Sequence, residues 1–310
     1  MNHFVYIKDM LAVETNLDKF YWSFGANAPK VHKDLFDKCK IKVYLNVVRD
    51  KDVPKNDCER FSFFTTNRDK TSLYYNRNIF GGIRMSFNLR IDGNSVYMTC
   101  GKNYYNFVRL RIMNIHSAGY LLSDVVEGLL LKNGLCTLYC SSINFEEQER
   151  SACIFGAPNT GKTLTAMLLC NRYGGKLMSE DFAVTDGEYV YGAPWTNTHR
   201  KYNIEGGSDR VEIEENPCRI TDIVVLQKGE DKEDREKNLE KVRYLNRYGL
   251  CYVKSPCLIA LSYFNKAFDL QTMMDKENEI LEKLTENCNY LYISSENATN
   301  FADVYACCLK

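Results

Sequence analysis

Ser151-Ala-Cys-Ile-Phe-Gly156-Ala-Pro-Asn-Thr-Gly161-Lys162-Thr163-Leu164 lies at the middle of the chain and decides how the rest is read. Residues 156–163 satisfy every fixed position of the pattern G-x-x-x-x-G-K-[ST]. The apolar run Ser151–Phe155 before it suits a buried strand. Leu164–Cys170 after it is apolar at helical density, and Tyr173-Gly174-Gly175 supplies a helix stop. Strand, glycine loop and helix in this order are the context that the pattern requires.

The physics of such a loop predicts its ligand. Gly156 and Gly161 let the backbone curl so that several N–H groups point at phosphate oxygens. The helix N-terminus adds partial positive charge. Lys162 is expected to reach the β- and γ-phosphates, and the Thr163 hydroxyl to ligate Mg²⁺. The expected nucleotide-binding residues are Gly156, Ala157, Pro158, Asn159, Thr160, Gly161, Lys162, Thr163 and Leu164, with ATP and Mg²⁺ as the ligands.

Outward from the loop, Lys176-Leu-Met-Ser-Glu-Asp181 reads as a short strand that ends in two acids. Ser179-Glu180-Asp181 sits 17 to 19 residues after Lys162. Phosphate-loop enzymes place an acid at the end of a neighbouring strand, where it holds Mg²⁺. Two adjacent acids can divide the labour, one toward the metal and one accepting a proton from an acceptor hydroxyl. Phe182–Val184 and Tyr189–Tyr191 flank a turn at Asp186-Gly187, and Gly192-Ala-Pro-Trp195 follows.

Strand, G-A-P-N-T-G-K-T, helix, short strand, S-E-D, turn and Gly-x-Pro together resemble the HPr serine kinase family, which shares its core with phosphoenolpyruvate carboxykinase. The resemblance covers roughly residues 134–226. It implies an α/β fold with a P-loop kinase core over residues 115–310, and ATP-dependent transfer to a serine hydroxyl of a protein or peptide. Family members read S-D-D where this chain has Ser179-Glu180-Asp181. By position, Glu180 inherits the base role and Asp181 the Mg²⁺ role, with Lys162 as the third catalytic residue. The family's histidine-bearing strand reads here Leu138-Tyr139-Cys140-Ser141-Ser142, without histidine. Its Arg-Gly signature has only a faint counterpart at Ile204-Glu205-Gly206-Gly207. These departures point to the looser group of HPr-kinase-like proteins, some of which phosphorylate small precursor peptides. Related kinases assemble as oligomers, so a homo-oligomer is compatible with the resemblance.

The first part of the chain differs in character. Lys42–Val48, Arg60–Thr65, Arg84–Ile91 and Ser95–Cys100 are β-type runs, and Asp92-Gly93-Asn94 is a hairpin turn between the last two. Residues 1–114 are therefore expected to form a mainly β region, antiparallel and rich in Tyr and Phe, serving docking or accessory roles. Asp34–Cys39 suits a helix, as does Gly119–Leu131, which Asn133-Gly134 ends. Leu135–Ile143 reads as one strand and Glu146–Arg150 as a polar turn. Farther on, Ile220–Leu226 is a strand, the charged run 228–241 a solvated loop and helix, and Leu270–Leu284 an amphipathic helix. Leu258–Phe264 fits either helix or strand. His199, Arg200, Lys201 and Arg210 are candidate phosphate contacts, set against a plain solvated loop. Acceptor choice is expected to reside in a loop within 196–216, and Trp195 to serve packing.

Composition bounds the function. The chain has 310 residues, 45% hydrophobic and 26% charged, ample for a core. Forty basic and forty acidic residues cancel, which argues against nucleic acid or an anionic membrane as the main partner. Met1-Asn-His-Phe-Val-Tyr lacks a basic segment followed by an apolar core, so a cytoplasmic location is expected. The thirteen cysteines show no C-x-x-C spacing and read as reduced, mostly buried thiols. Two other functions fit the same residues. One is a small-metabolite kinase. The other is a nucleotide-sensing module that docks on a partner through its β-rich half.

Overall fold

The computed structural model of the protein describes residues 1–25, 27–79, 81–106, 117–195, 211–227, 238–247, 256–265, 268–295 and 297–309. The fold is mixed α/β, with three sheets and eight α-helices among the described residues. Two compact units divide the chain: Met1–Lys132 with Tyr252–Met274, and Asn133–Cys251 with Asp275–Lys310. This division falls later than the 114/115 boundary expected from sequence, and the first unit recovers a segment near residue 260.

The first unit is built on an eight-stranded sheet. In chain order its strands are β1 (Asn2–Ile7), β2 (Leu11–Thr15), β3 (Ile41–Val48), β4 (Glu59–Phe61), β5 (Phe64–Thr66), β6 (Ser72–Ile79), β7 (Ile83–Asp92) and β8 (Ser95–Gly101). Their spatial order is β1-β2-β3-β8-β7-β6-β5-β4. Alternation produces the inward face: Ile41, Val43, Leu45 and Val47 of β3 are buried between outward Lys42, Tyr44 and Asn46. The helices are α1 (Lys33–Lys38), α2 (Lys102–Asn106), α3 (Ala118–Lys132) and α6 (Pro256–Phe264). Leu258–Phe264 is thus helical, within α6.

Two expectations need correction here. The sheet is mixed, not antiparallel, because β3 runs parallel to both β2 and β8. Residue alternation is the same in either direction, and the parallel partners are distant in sequence, so the period carries no trace of it. Residues 60–65 form two strands, not one, because Ser62 takes a left-handed φ of +53° and turns β4 back onto β5.

The second unit holds a five-stranded sheet of order β12-β10-β11-β16-β17. Its strands are β10 (Ser141–Phe145), β11 (Arg150–Gly156), β12 (Lys176–Ser179), β16 (Asp222–Gln227) and β17 (Asn289–Ser294). β11, β16 and β17 are mutually parallel, and β10 runs antiparallel to both β11 and β12. It follows that β11 and β12 point the same way and end at the same sheet edge. A small antiparallel sheet adds β9 (Cys136–Leu138), β13 (Ala183–Thr185), β14 (Tyr189–Tyr191) and β15 (Cys218–Arg219). The run 135–143, expected as one strand, is therefore split at Tyr139-Cys140 between two sheets. No change in burial marks the break, since both halves are buried.

Helices α4 (Lys162–Tyr173), α5 (Asn238–Asn246) and α8 (Ala298–Cys308) complete this unit, with α7 (Leu270–Asn287) from Asp275 onward. Ile143, Ile154, Leu169, Leu226, Ile293 and Phe301 belong to one core cluster that joins sheet, α4 and α8. Gly174 closes α4 with φ +72°, as the Tyr-Gly-Gly stop predicts. At the starts of β11 and β16, Asp222 is fully buried. It accepts from Arg150 Nε at 2.9 Å and Nη2 at 2.6 Å, and from Tyr305 Oη at 3.1 Å. Arg150 also donates to the Cys308 carbonyl, which fastens the end of α8 to the sheet. All twelve described cysteines are free thiols. No described helix is long and apolar enough to cross a membrane.

Candidate functional site

β11 delivers Gly156 to the sheet edge, and the chain turns through Ala157–Thr160 into α4. The turn has no room for a side chain at its first residue. A Cβ on Gly156 would stand 2.5 Å from Thr160 Oγ1 and 3.3 Å from the Leu226 carbonyl oxygen. Asn159 (φ +66°) and Gly161 (φ +102°) are both left-handed, which curls the loop over the helix start. Thr160 donates to the Ala157 carbonyl from its amide (3.2 Å) and hydroxyl (2.7 Å), closing the turn on itself. Gly161 is the N-cap of α4 and brings no side-chain cap, so the first N–H groups of a 12-residue helix stay available to an anion.

Lys162 is buried at 5% exposure, folded back into this loop. Its Nζ donates to the carbonyls of Gly156 (2.8 Å) and Ala157 (3.2 Å). The same ammonium lies over the Tyr139 ring, 4.5 Å from its centroid. Burial pushes the Lys162 amine below its ordinary range, with the charges of Asp181 and Cys140 pulling the other way. Thr163 follows in the first turn of α4 and is half-buried.

The acid pair arrives from β12, at the edge that β11 also reaches. Glu180 is fully buried, and Asp181 half-buried. Burial raises the Asp181 carboxyl above the usual carboxylate range, and Lys162 opposes the rise. The reciprocal influence places Lys162 and Asp181 within electrostatic reach of each other. Serines at the head of β10 fasten the pair: Ser141 Oγ donates to the Glu180 carbonyl, and Ser142 and Ser179 share a hydroxyl bond of 2.7 Å. Gly192 packs against the other side of β12, where a Cβ would meet the Met178 carbonyl oxygen at 2.6 Å. Ala193 then pairs in parallel with Ser179, so the Gly-x-Pro turn runs beside the acids.

The structure thus brings together residues 156–164, Glu180, Asp181 and the 192–195 turn. His199, Arg200, Lys201, Arg210 and the segment 204–207 lie outside the described residues. Trp195 is half-buried.

The sequence reading names Tyr139, Ser141 and Ser142 only for the absence of a histidine from their strand, and does not single out Asn246. Asn246, at 1% exposure on α5, accepts from the Tyr139 amide at 2.6 Å and donates to the Thr137 carbonyl at 3.1 Å. No sequence signal marks it, because its partners are backbone groups more than a hundred residues away. Among the described residues no group of three or more His, Cys, Asp and Glu side chains could hold a metal ion on its own. Mg²⁺ needs no such group, since one or two protein oxygens beside substrate phosphates suffice. Thr163, in the first turn of α4, and Asp181, just past β12, carry hard oxygen donors.

No protein-family model matches this chain, and no curated protein matches its sequence.

Proposed function

We propose that the chain is an ATP-dependent kinase of the HPr-kinase-like type, transferring the γ-phosphoryl group to a hydroxyl, foremost a serine of a protein or peptide. One observation carries the reading: a glycine cradle with a buried lysine reaches the same sheet edge as the strand that ends in the acid pair, and the Lys162 charge acts on Asp181.

Each residue has a definite task under this proposal. The loop amides and the start of α4 hold the phosphates, and Lys162 neutralises the charge that gathers on the transferring group. Thr163 and Asp181 would hold Mg²⁺, which supplies further charge neutralisation when bound. Glu180 accepts the proton of the acceptor hydroxyl as its oxygen bonds to phosphorus, and ADP departs. Glu180 has no exposed surface. Such enclosure keeps water from competing as acceptor.

The test is acceptor-dependent formation of ADP. Under the proposal Glu180→Gln abolishes transfer and retains ATP binding, whereas Lys162→Ala abolishes transfer and weakens binding. Binding without transfer to any acceptor would favour a nucleotide-sensing module instead.

A further inference from the structure

We propose that Tyr139 is a positioning residue for Lys162, its ring face holding the ammonium at the mouth of the loop in the orientation a triphosphate needs. The proposal rests on reading residues 156–164 as a nucleotide site.

Lysine carries its charge on a flexible four-carbon stem, so a lysine that must meet phosphate on arrival has to be held. Two carbonyls hold the Lys162 ammonium from within the loop, those of Gly156 and Ala157. The Tyr139 ring provides the other wall, with its centroid 4.5 Å from Nζ. A ring face is electron-rich and attracts a cation, most strongly where water is scarce. Unlike a carboxylate it does not neutralise the lysine, so the full charge remains for the phosphates.

Tyr139 is itself held at two points, its amide and its ring. Its amide donates to Asn246 Oδ1 at 2.6 Å, where the chain leaves β9 for the other sheet. Asn246 bonds the Thr137 carbonyl as well, so one buried amide from α5 brackets the crossing. The ring packs against Phe182, centroids 5.7 Å apart, and Phe182 directly follows Asp181. Tyr139 thus stands between the lysine and the acid turn. The ring carries this role and the hydroxyl does not, so phenylalanine at 139 preserves it.

The experiment is a double-mutant cycle on the full chain, reading Mg²⁺-ATP affinity by titration calorimetry. Tyr139→Phe is expected to bind within about twofold of the wild type, and Tyr139→Leu to lose about five- to thirtyfold. In a Lys162→Ala background Tyr139→Leu is expected to add almost nothing, since the two residues act as a pair. Tyr139→Met replaces leucine if that variant does not fold. Wild-type affinity in Tyr139→Leu would overturn the proposal. So would equal losses in the Phe and Leu variants, or a leucine effect undiminished without Lys162.

A wild type that binds no ATP would sink the nucleotide reading but leave this one open to decision. The rate of Lys162 acylation by acetic anhydride at one fixed pH, followed on its peptide by mass spectrometry, then decides. Loss of the ring uncovers one side of the ammonium, so acylation of Lys162 speeds up in Tyr139→Leu and keeps its wild-type rate in Tyr139→Phe. Equal rates in all three proteins would overturn the role assigned to Tyr139.

Discussion

Ser142 and Ser179 share a hydroxyl–hydroxyl hydrogen bond of 2.7 Å, with no exposed surface on either residue. The bond ties the last residue of β12, immediately before the acid pair, to the strand that lies between it and β11. The distance from loop to acids is therefore fixed through β10. Ser179→Ala and Ser142→Ala should each cost about 1 kcal/mol, and the double variant less than the sum. Urea denaturation of the three proteins checks this, and full additivity would mean that the hydroxyls do not act as a pair.

The cradle at Gly156 leads to a second prediction, with a built-in rescue. Gly156→Ala sets a methyl group against Thr160 Oγ1, which is itself bonded to the Ala157 carbonyl. Overpacking of this kind costs about 1–3 kcal/mol. Nucleotide affinity should fall by at least about fivefold in Gly156→Ala. Adding Thr160→Ala removes the nearest obstacle and should restore part of the loss. Unchanged affinity in the single variant would show that the loop does not need its tight form.

β11, the glycine loop and α4 were legible in the sequence because the motif prescribes its own strand and helix, and Tyr-Gly-Gly marks the stop. β12 was legible as far as its two acids. Its partner was not, since nothing local says that Ser179 meets Ser142 across thirty-seven residues. The split at Tyr139-Cys140 was hidden for a similar reason: the run Leu135–Ile143 is buried on both sides of the break, and only the tertiary fold sends its halves to different sheets. In the first unit the alternation in β3, β7 and β8 was plain, whereas the parallel pairing of β3 with β2 and β8 is non-local. Tyr139 over Lys162 is likewise a meeting of distant elements, so the strand without a histidine looked merely deficient.

The far edge of the sheet offers a stability test remote from the proposed chemistry. Asp222 is fully buried, and Arg150 is its cationic partner in a two-point contact. Arg150→Met leaves that carboxylate buried with only hydroxyl and amide donors, and should cost about 3 kcal/mol. Arg150→Met with Asp222→Asn removes both charges and should recover most of the loss. Thermal melts and urea midpoints give the answer. A double variant no better than the single would place the cost in the lost Arg150 bond to α8.

Asp181 gives a pH prediction with a definite sign. Burial raises its carboxyl in the folded chain, so folding favours the protonated form. The stability this group contributes is complete below the unfolded value of about 3.9 and is lost as pH rises through the raised folded value. Wild type should therefore lose stability relative to Asp181→Asn as pH climbs from about 4 toward neutrality. Urea midpoints of the two proteins across that range measure it. A difference that stays flat, or moves in favour of wild type as pH rises, would contradict a raised carboxyl.

The central claim is that the loop and the acid pair form one phosphoryl-transfer site. Its most direct measurement is transfer from γ-labelled ATP in the presence of Mg²⁺, with serine-containing peptides and proteins as acceptors, in wild type, Lys162→Ala and Glu180→Gln. The account predicts label on an acceptor serine with the wild type and none with either variant, while Glu180→Gln still binds ATP. Label transfer that survives Glu180→Gln and Lys162→Ala, or ATP bound tightly by the wild type and never transferred, would contradict it.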